Sequence, residues 1–168
     1  MSHSIRDALP ADVSILVDII KKSFKDVAVR FGLTEENCPK HPSNCRPDWI
    51  ASVIGKGVHY FILEREGLPC GCVALERARP ETCYLERLAV LPEYRRAGLG
   101  AALVHHAASR AHNMGSHRIE IGIISGHTEL KEWYRRLGFV ETRTAVFPHL
   151  PFEVSFMAME LILQDGFS

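Results

Sequence analysis

The sequence predicts a mixed α/β domain, a mostly antiparallel sheet of about seven strands flanked by about four helices. Three observations point there. Apolar side chains recur at helical spacing in four separate stretches. Three strand-like runs joined by short turns occupy the middle of the chain. A strand, a glycine-bearing loop and a long helix then follow in direct succession. A length of 168 residues fits one domain spanning the whole chain. The 46% apolar content supplies enough side chains for a core, and chains of this size bury roughly 70% of the surface they expose when unfolded.

The opening run from Ser4 to Ala8 reads as a short strand, and Pro10 fits the first turn of a helix, where no backbone donor is required. Val13, Leu16, Val17, Ile20 and Phe24 then form a single apolar stripe. Between Phe31 and Pro47 three prolines and the lack of any sustained period predict a long loop. Trp49, Ile50, Val53 and Ile54 mark a second short helix that Gly55 and Gly57 end. VHYFILE, CGCVALE and TCYLERLAV read as an antiparallel meander with turns at Arg65 to Pro69 and Ala78 to Glu81. Leu99, Leu103, Ala107 and Ala111 set a long helix that stops at Gly115, and Ile119, Ile121 and Ile123 alternate as the next strand. Leu130, Trp133, Tyr134 and Leu137 mark a short helix closed by Gly138, and strands near Val140 to Val146 and Val154 to Leu161 finish the chain.

Composition excludes several function classes. Twenty basic and twenty acidic residues give zero net charge, which argues against general nucleic-acid binding, because that relies on a basic excess. The first ten residues lack the apolar core of a secretory signal. No apolar run of about 18 residues spans a bilayer. A soluble, cytoplasmic protein is expected. The five cysteines follow no extracellular framework spacing and read as reduced thiols. Cys70 and Cys72 are expected on one strand face. Cys38, His41 and Cys45 bring soft and imidazole ligand types close together, but the chain supplies no evident fourth ligand, so no metal is expected.

The chemistry is concentrated in YLERLAVLPEYRRAGLGAA, Tyr84 to Ala102. Gly98 and Gly100 lie where a strand has ended and a helix begins, so backbone amides there can approach a phosphate closely, favoured by the helix dipole. Arg95 and Arg96 add positive charge alongside. No lysine follows the glycines as a Walker loop requires, and Leu103 stands where a dinucleotide fingerprint wants a third small residue. Two glycines by themselves more often mark a structural helix entry than a phosphate site.

Taken with the strand LERLAV, the segment RRAGLGA resembles the [RQ]xxGx[GA] loop of the GNAT superfamily, the acetyl-CoA-dependent N-acyltransferases. Arg95, Gly98 and Gly100 hold its three defining positions. WYRRLGF, Trp133 to Phe139, resembles the superfamily's second signature, and IRDALPADVSIL resembles its opening strand and helix. The resemblance implies that amides of Arg95, Arg96, Gly98, Leu99, Gly100 and Ala101 hold the pyrophosphate of acetyl-CoA. It implies that Leu88, Ala89 and Val90 pair with the pantetheine arm as with an added strand, and that the sheet splays at this cofactor site. Pro92, which cannot donate to a ladder, is consistent with the parting. His127 stands where the superfamily usually has a cofactor-contacting Asn.

Acyl transfer needs an unprotonated amine. With a lysine-like pKa near ~10.4 only about one acceptor in 2,500 is neutral at pH 7, equivalent to ~4.6 kcal/mol of barrier. Glu86, expected on one strand face with Tyr84 and Leu88, is the candidate general base, with an ordinary ion pair to Arg77 or Arg87 as the alternative. Tyr134 stands where the superfamily places a tyrosine beside the CoA sulfur, and its alternative is a core aromatic. The resemblance assigns carbonyl polarisation to a backbone N–H at Leu88 or Val90. No cysteine holds a nucleophile position, so direct transfer in a ternary complex is expected. The expected acceptor is a small-molecule primary amine bound between the Cys38 to Cys45 loop and FPHLPF, Phe147 to Phe152. A protein N-terminus or lysine is the alternative, as is a non-catalytic CoA-responsive module. The family is also compatible with a homodimer through the closing strands.

Overall fold

The computed structural model describes residues 2–161. One seven-stranded sheet carries the order β1-β2-β3-β4-β5-β7-β6. Its strands are β1 (His3–Asp7), β2 (His59–Arg65), β3 (Leu68–Arg79), β4 (Thr82–Val90), β5 (Arg118–Ile124), β6 (Val140–Val146) and β7 (Glu153–Glu160). Four helices flank it: α1 (Val13–Arg30), α2 (Pro47–Gly55), α3 (Leu99–Asn113) and α4 (Thr128–Leu137). All neighbours are antiparallel except β4 and β5. The expected elements are therefore present. Sequence had left open that β7 enters between β5 and β6, making β6 an edge.

Each sheet face has its own core. On one, Leu103, Val104, Ala107 and Ala111 of α3 and Tyr134 of α4 pack on Phe61, Leu63, Val73, Leu75, Cys83 and Leu85. On the other, Leu16, Ile19 and Ile20 of α1 and Ile50 of α2 pack on Ile62, Cys72, Ala74 and Ala89. The predicted stripes supply Leu16, Ile20, Ile50, Leu99, Leu103, Ala107, Ala111 and Tyr134 to these cores, their other members are half-buried, and Ile19, outside the predicted stripe, is buried with them. Asp12 ties the first strand to α1: Arg6 forks onto its carboxylate at 2.8 and 3.0 Å, and the Leu9 amide donates to it at 2.8 Å.

Two bulges override the simple alternation. In β3 the register slips between Leu63↔Gly71 and Glu64↔Pro69, so Cys70 is the extra residue. Cys70 therefore joins the α3 face while Cys72 joins the α1 face, and the two do not share a side as expected. In β4 the pairs Cys72↔Ala89 and Ala74↔Glu86 enclose one extra residue, and Arg87 adopts φ 54°. Glu86 keeps the face of Ala74, whereas Leu88 packs into the opposite core. The expected common face of Glu86 and Leu88 is thus broken, because the bulge resets the period-2 pattern.

The bulge also moves the parting of the sheet. β4 and β5 pair from Thr82↔Arg118 only as far as Tyr84↔Glu120, so the strands diverge from Leu85 onward and not at Pro92. Bulges bend and twist the strand that carries them. Pro92 instead opens a 3-10 turn, Pro92–Tyr94, that leads to the glycine-bearing loop. Among the described residues no helix is long and apolar enough to cross a membrane, and the five cysteines are buried and unbridged.

Candidate active site

The wedge between β4 and β5 opens into a cavity of about 630 Å³. Glu86 and Tyr134, the two candidates for proton transfer, both line it. Glu86 takes the sheet face that α1 covers and Tyr134 packs on the face that α3 covers, so the gap joins the two sides. His41 and Pro42 from the long loop and Leu150 and Phe152 from the closing loop also line it, which places both predicted wall segments there.

Beyond the outer end of β4, the loop into α3 leaves a run of backbone amides open. Gly98 caps α3 in the left-handed region, φ 77°, and Arg96 takes φ 66°. Successive backbone amides in such a turn converge on one side. The first helical bond to the Gly98 carbonyl comes from Ala102, and none of the amides from Arg96 to Ala101 has a partner within the described chain. Gly100 has a second reason to be glycine: a Cβ there would stand 3.2 Å from Trp133 Cζ2. Small size at Gly100 thus seats α3 on α4.

Arg95 departs from the expectation of a free cation. Its guanidinium donates to Asp26 Oδ2 at 2.7 Å, to the Ser23 carbonyl at 2.7 Å and to the Val90 carbonyl at 3.1 Å. Its own amide bonds the Pro92 carbonyl at 3.3 Å. Arg95 is a strut between the loop, α1 and the end of β4. Burial alone would raise the Asp26 carboxyl, but the Arg95 hydrogen bond and charge outweigh it and hold that group below its ordinary range.

Beyond Tyr84 the β4 edge facing β5, with Leu88, Ala89 and Val90, carries no ladder. His127 caps α4 by accepting from the Leu130 amide at 3.4 Å, and its ring leans on Phe31 at 5.6 Å. It lines the cavity, and burial, then the Arg30 charge, lowers its basicity.

Glu86 is half-buried, and among the described residues no hydrogen bond or ion pair within 4.0 Å engages its carboxylate. Neither Arg77 nor Arg87 pairs with it. Burial raises its pKa, with Glu76 adding to the effect and the Arg87 charge opposing it. Tyr134 is 4% exposed, clasped edge-on by Trp133 at 5.0 Å and Phe139 at 5.2 Å. Burial pushes its phenol well above the ordinary range, which keeps the proton on the oxygen.

His41, Arg87 and Arg143 also line the cavity, and only the first two figured in the sequence reading. His41 belongs to the Cys38 to Cys45 loop expected at the acceptor, and among the described residues no cluster of three ligating side chains could hold a metal. His41 instead caps a 3-10 turn, accepting from the Ser43 amide. Arg87 follows Glu86 directly, and only the bulge lets both border one cavity. Arg143 on β6 gave no signal at all.

Comparison with known proteins agrees with this geometry. The model of the Acetyltransferase (GNAT) family matches residues 24–139. An amino-acid acetyltransferase of Pseudomonas putida is 34% identical over 98 residues, which are 57% of this chain and 22% of that protein; the chain thus spans less than a quarter of that relative. The PaiA N-acetyltransferase of Thermoplasma acidophilum, solved in complex with coenzyme A, superposes with a TM-score of 0.80 at 17% identity, covering 95% of this chain and 99% of that one. The ribosomal-protein-S18-alanine N-acetyltransferase of Escherichia coli gives a TM-score of 0.75 at 18% identity, covering 95% and 94%. With the family model spanning more than half of the residues, the chain belongs to the GNAT family of acetyltransferases.

Proposed function

We propose that the protein is an N-acetyltransferase that moves the acetyl group of acetyl-CoA to the primary amine of a small molecule, directly and within a ternary complex. The observation that carries this reading is the parting of β4 from β5 after Tyr84, with Glu86 and Tyr134 both lining the opened cavity. The unpartnered amides of Arg96, Gly98, Leu99, Gly100 and Ala101 suit a pyrophosphate at the α3 N-terminus. Arg95 holds that loop in shape, and the open β4 edge at Leu88, Ala89 and Val90 suits a pantetheine arm lying as an added strand. His127 borders the same channel.

Bound acetyl-CoA would supply an activated acetyl carbonyl. Glu86, kept basic by burial, takes the proton of the acceptor amine, whose nitrogen bonds to the carbonyl carbon as the C–S bond breaks. A backbone N–H of β4, at Leu88 or Val90, donates to the carbonyl oxygen. Tyr134 gives its proton to the departing sulfur and regains one afterwards, because a buried phenolate is disfavoured. The products are the acetylated amine and free CoA thiol. The name of the amino-acid acetyltransferase relatives supports a small acceptor over a protein one, while the ribosomal-protein acetyltransferase neighbour keeps a protein N-terminus as the second reading. Exposed Val140 and Val146 on the edge strand β6 support a homodimer through the closing strands.

Thermal unfolding with and without acetyl-CoA tests the reading. Saturation at 100 times Kd contributes ~2.7 kcal/mol, raising the midpoint by about 5 to 10 °C. Gly98→Glu should abolish the rise, and Gly98→Asn, which tolerates the left-handed backbone, should keep most of it. No rise in the parent protein would discard the acetyltransferase reading.

A further inference from the structure

The acceptor side of the cavity shows two guanidinium groups that no acid contacts within ion-pair distance among the described residues. The Arg87 guanidinium makes no hydrogen bond or ion pair within 4.0 Å among the described residues, and neither does that of Arg143, which lies over the Phe156 ring at 4.0 Å. Arginines elsewhere around the site are committed: Arg95 to Asp26, Arg30 to Glu129, and Arg79 and Arg118 to Glu120 at 3.3 and 2.9 Å. Those last two contacts also remove Glu120 from the balance. Of the carboxylates lining the cavity only Glu86 is left against the two arginines.

A third group stands with them. The Ser43 amide donates to His41 Nδ1 at 3.2 Å, and Ser43 Oγ lies 2.7 Å from the same nitrogen. An accepting Nδ1 places the ring proton on Nε2. Burial, aided by the Arg87 charge, lowers His41 to about 4, so at neutral pH the ring is an uncharged donor. His41 lines the cavity, edge-on to Phe24 at 5.9 Å. Among the described residues Arg87 is also one of three non-glycine residues held at positive φ, and such strain clusters at ligand clamps.

We infer that the acceptor amine carries a carboxylate, which Arg87 grips with its fork and His41 meets with its Nε2–H, leaving the amine to face Glu86. Planar bidentate geometry suits a guanidinium to a carboxylate. Arg143 adds positive charge on the wall supplied by β6. The inference rests on the acetyltransferase reading above and specifies its substrate class.

Matched pairs of amines test it: tyrosine against tyramine and histidine against histamine, followed by release of CoA thiol. Hydrogen bonds to charged groups are each equivalent to about 10- to 100-fold in affinity. The carboxylate-bearing partner should therefore be preferred in kcat/KM by at least about tenfold. Arg87→Asn, compatible with the left-handed backbone, should erase that preference, chiefly through the amine KM. Arg87→Lys should keep part of it, and the acetyl-CoA KM should not move. As a readout independent of turnover, carboxylate-bearing amines should raise the melting midpoint of the CoA-saturated protein and their decarboxylated partners should not. Equal or better use of tyramine and histamine overturns the inference while leaving the acetyltransferase reading intact. So does an Arg87→Asn loss that is the same for both members of a pair. Failure to bind acetyl-CoA at all overturns both.

Discussion

A Cβ placed on Gly71 would stand 2.9 Å from the carbonyl oxygen of Ala89 and 3.1 Å from Leu103 Cδ1. The contact joins β3 to the stretch of β4 that lies open toward β5, with α3 packed behind. Gly71→Ala must therefore displace backbone, and overpacking of this kind costs about 1 to 3 kcal/mol. The variant should unfold at lower denaturant, and its melting response to acetyl-CoA should shrink. An unchanged midpoint with an unchanged response would mean that β4 has slack at Ala89.

The strut from Arg95 to Asp26 predicts a loss of cofactor affinity without a loss of fold. Asp26→Asn removes the charge that faces Arg95 while leaving the core untouched. The pair is largely exposed, so global stability should change by less than about 1 kcal/mol. The Kd for acetyl-CoA should rise by about three- to tenfold as the loop loses its anchor. Sensitivity to salt is a second check, because the contact is screened.

Glu86 and Tyr134 predict a separable pair of kinetic defects. Glu86→Gln should lower kcat/KM by about 100-fold or more. The parent profile should fall on acidification through an ionisation above the usual carboxylate range, since burial raises that group, and this limb should vanish in the variant. Tyr134→Phe should lower kcat by a comparable factor with acetyl-CoA binding retained. A protein that merely senses CoA would lose nothing at either position.

His41 predicts a pH dependence of stability. Its folded pKa, about 4, lies below the ordinary histidine value of 6.5, so between those values the unfolded chain binds the extra proton. Stability is then fully present above about pH 6.5 and declines as pH falls toward 4. His41→Asn keeps a capping acceptor for the Ser43 amide and removes the titration. The difference in unfolding free energy between parent and variant should slope across that window and flatten outside it. A parallel pair of curves would place the His41 ring in water.

Much of this was legible in one dimension. The apolar periods determined the helices and strands, since a period of 3.6 or 2 is a local consequence of which face meets the core. The two glycines after β4 and the Trp133–Phe139 segment determined where α3 begins and where Tyr134 stands, because turns and helix ends are set by nearby residues. Tertiary structure alone decided which side several of those residues face. Cys70 and Arg87 are each the extra residue of a bulge, and a bulge is chosen by the joint packing of two faces, which no local period records. One residue of slip moved Leu88 away from Glu86, split Cys70 from Cys72 and brought Arg87 to the cavity that Glu86 lines. Arg95 became a strut because Asp26, far away in sequence, lies across from it. Position along the chain specified the groups; register and long-range contact specified what each one touches.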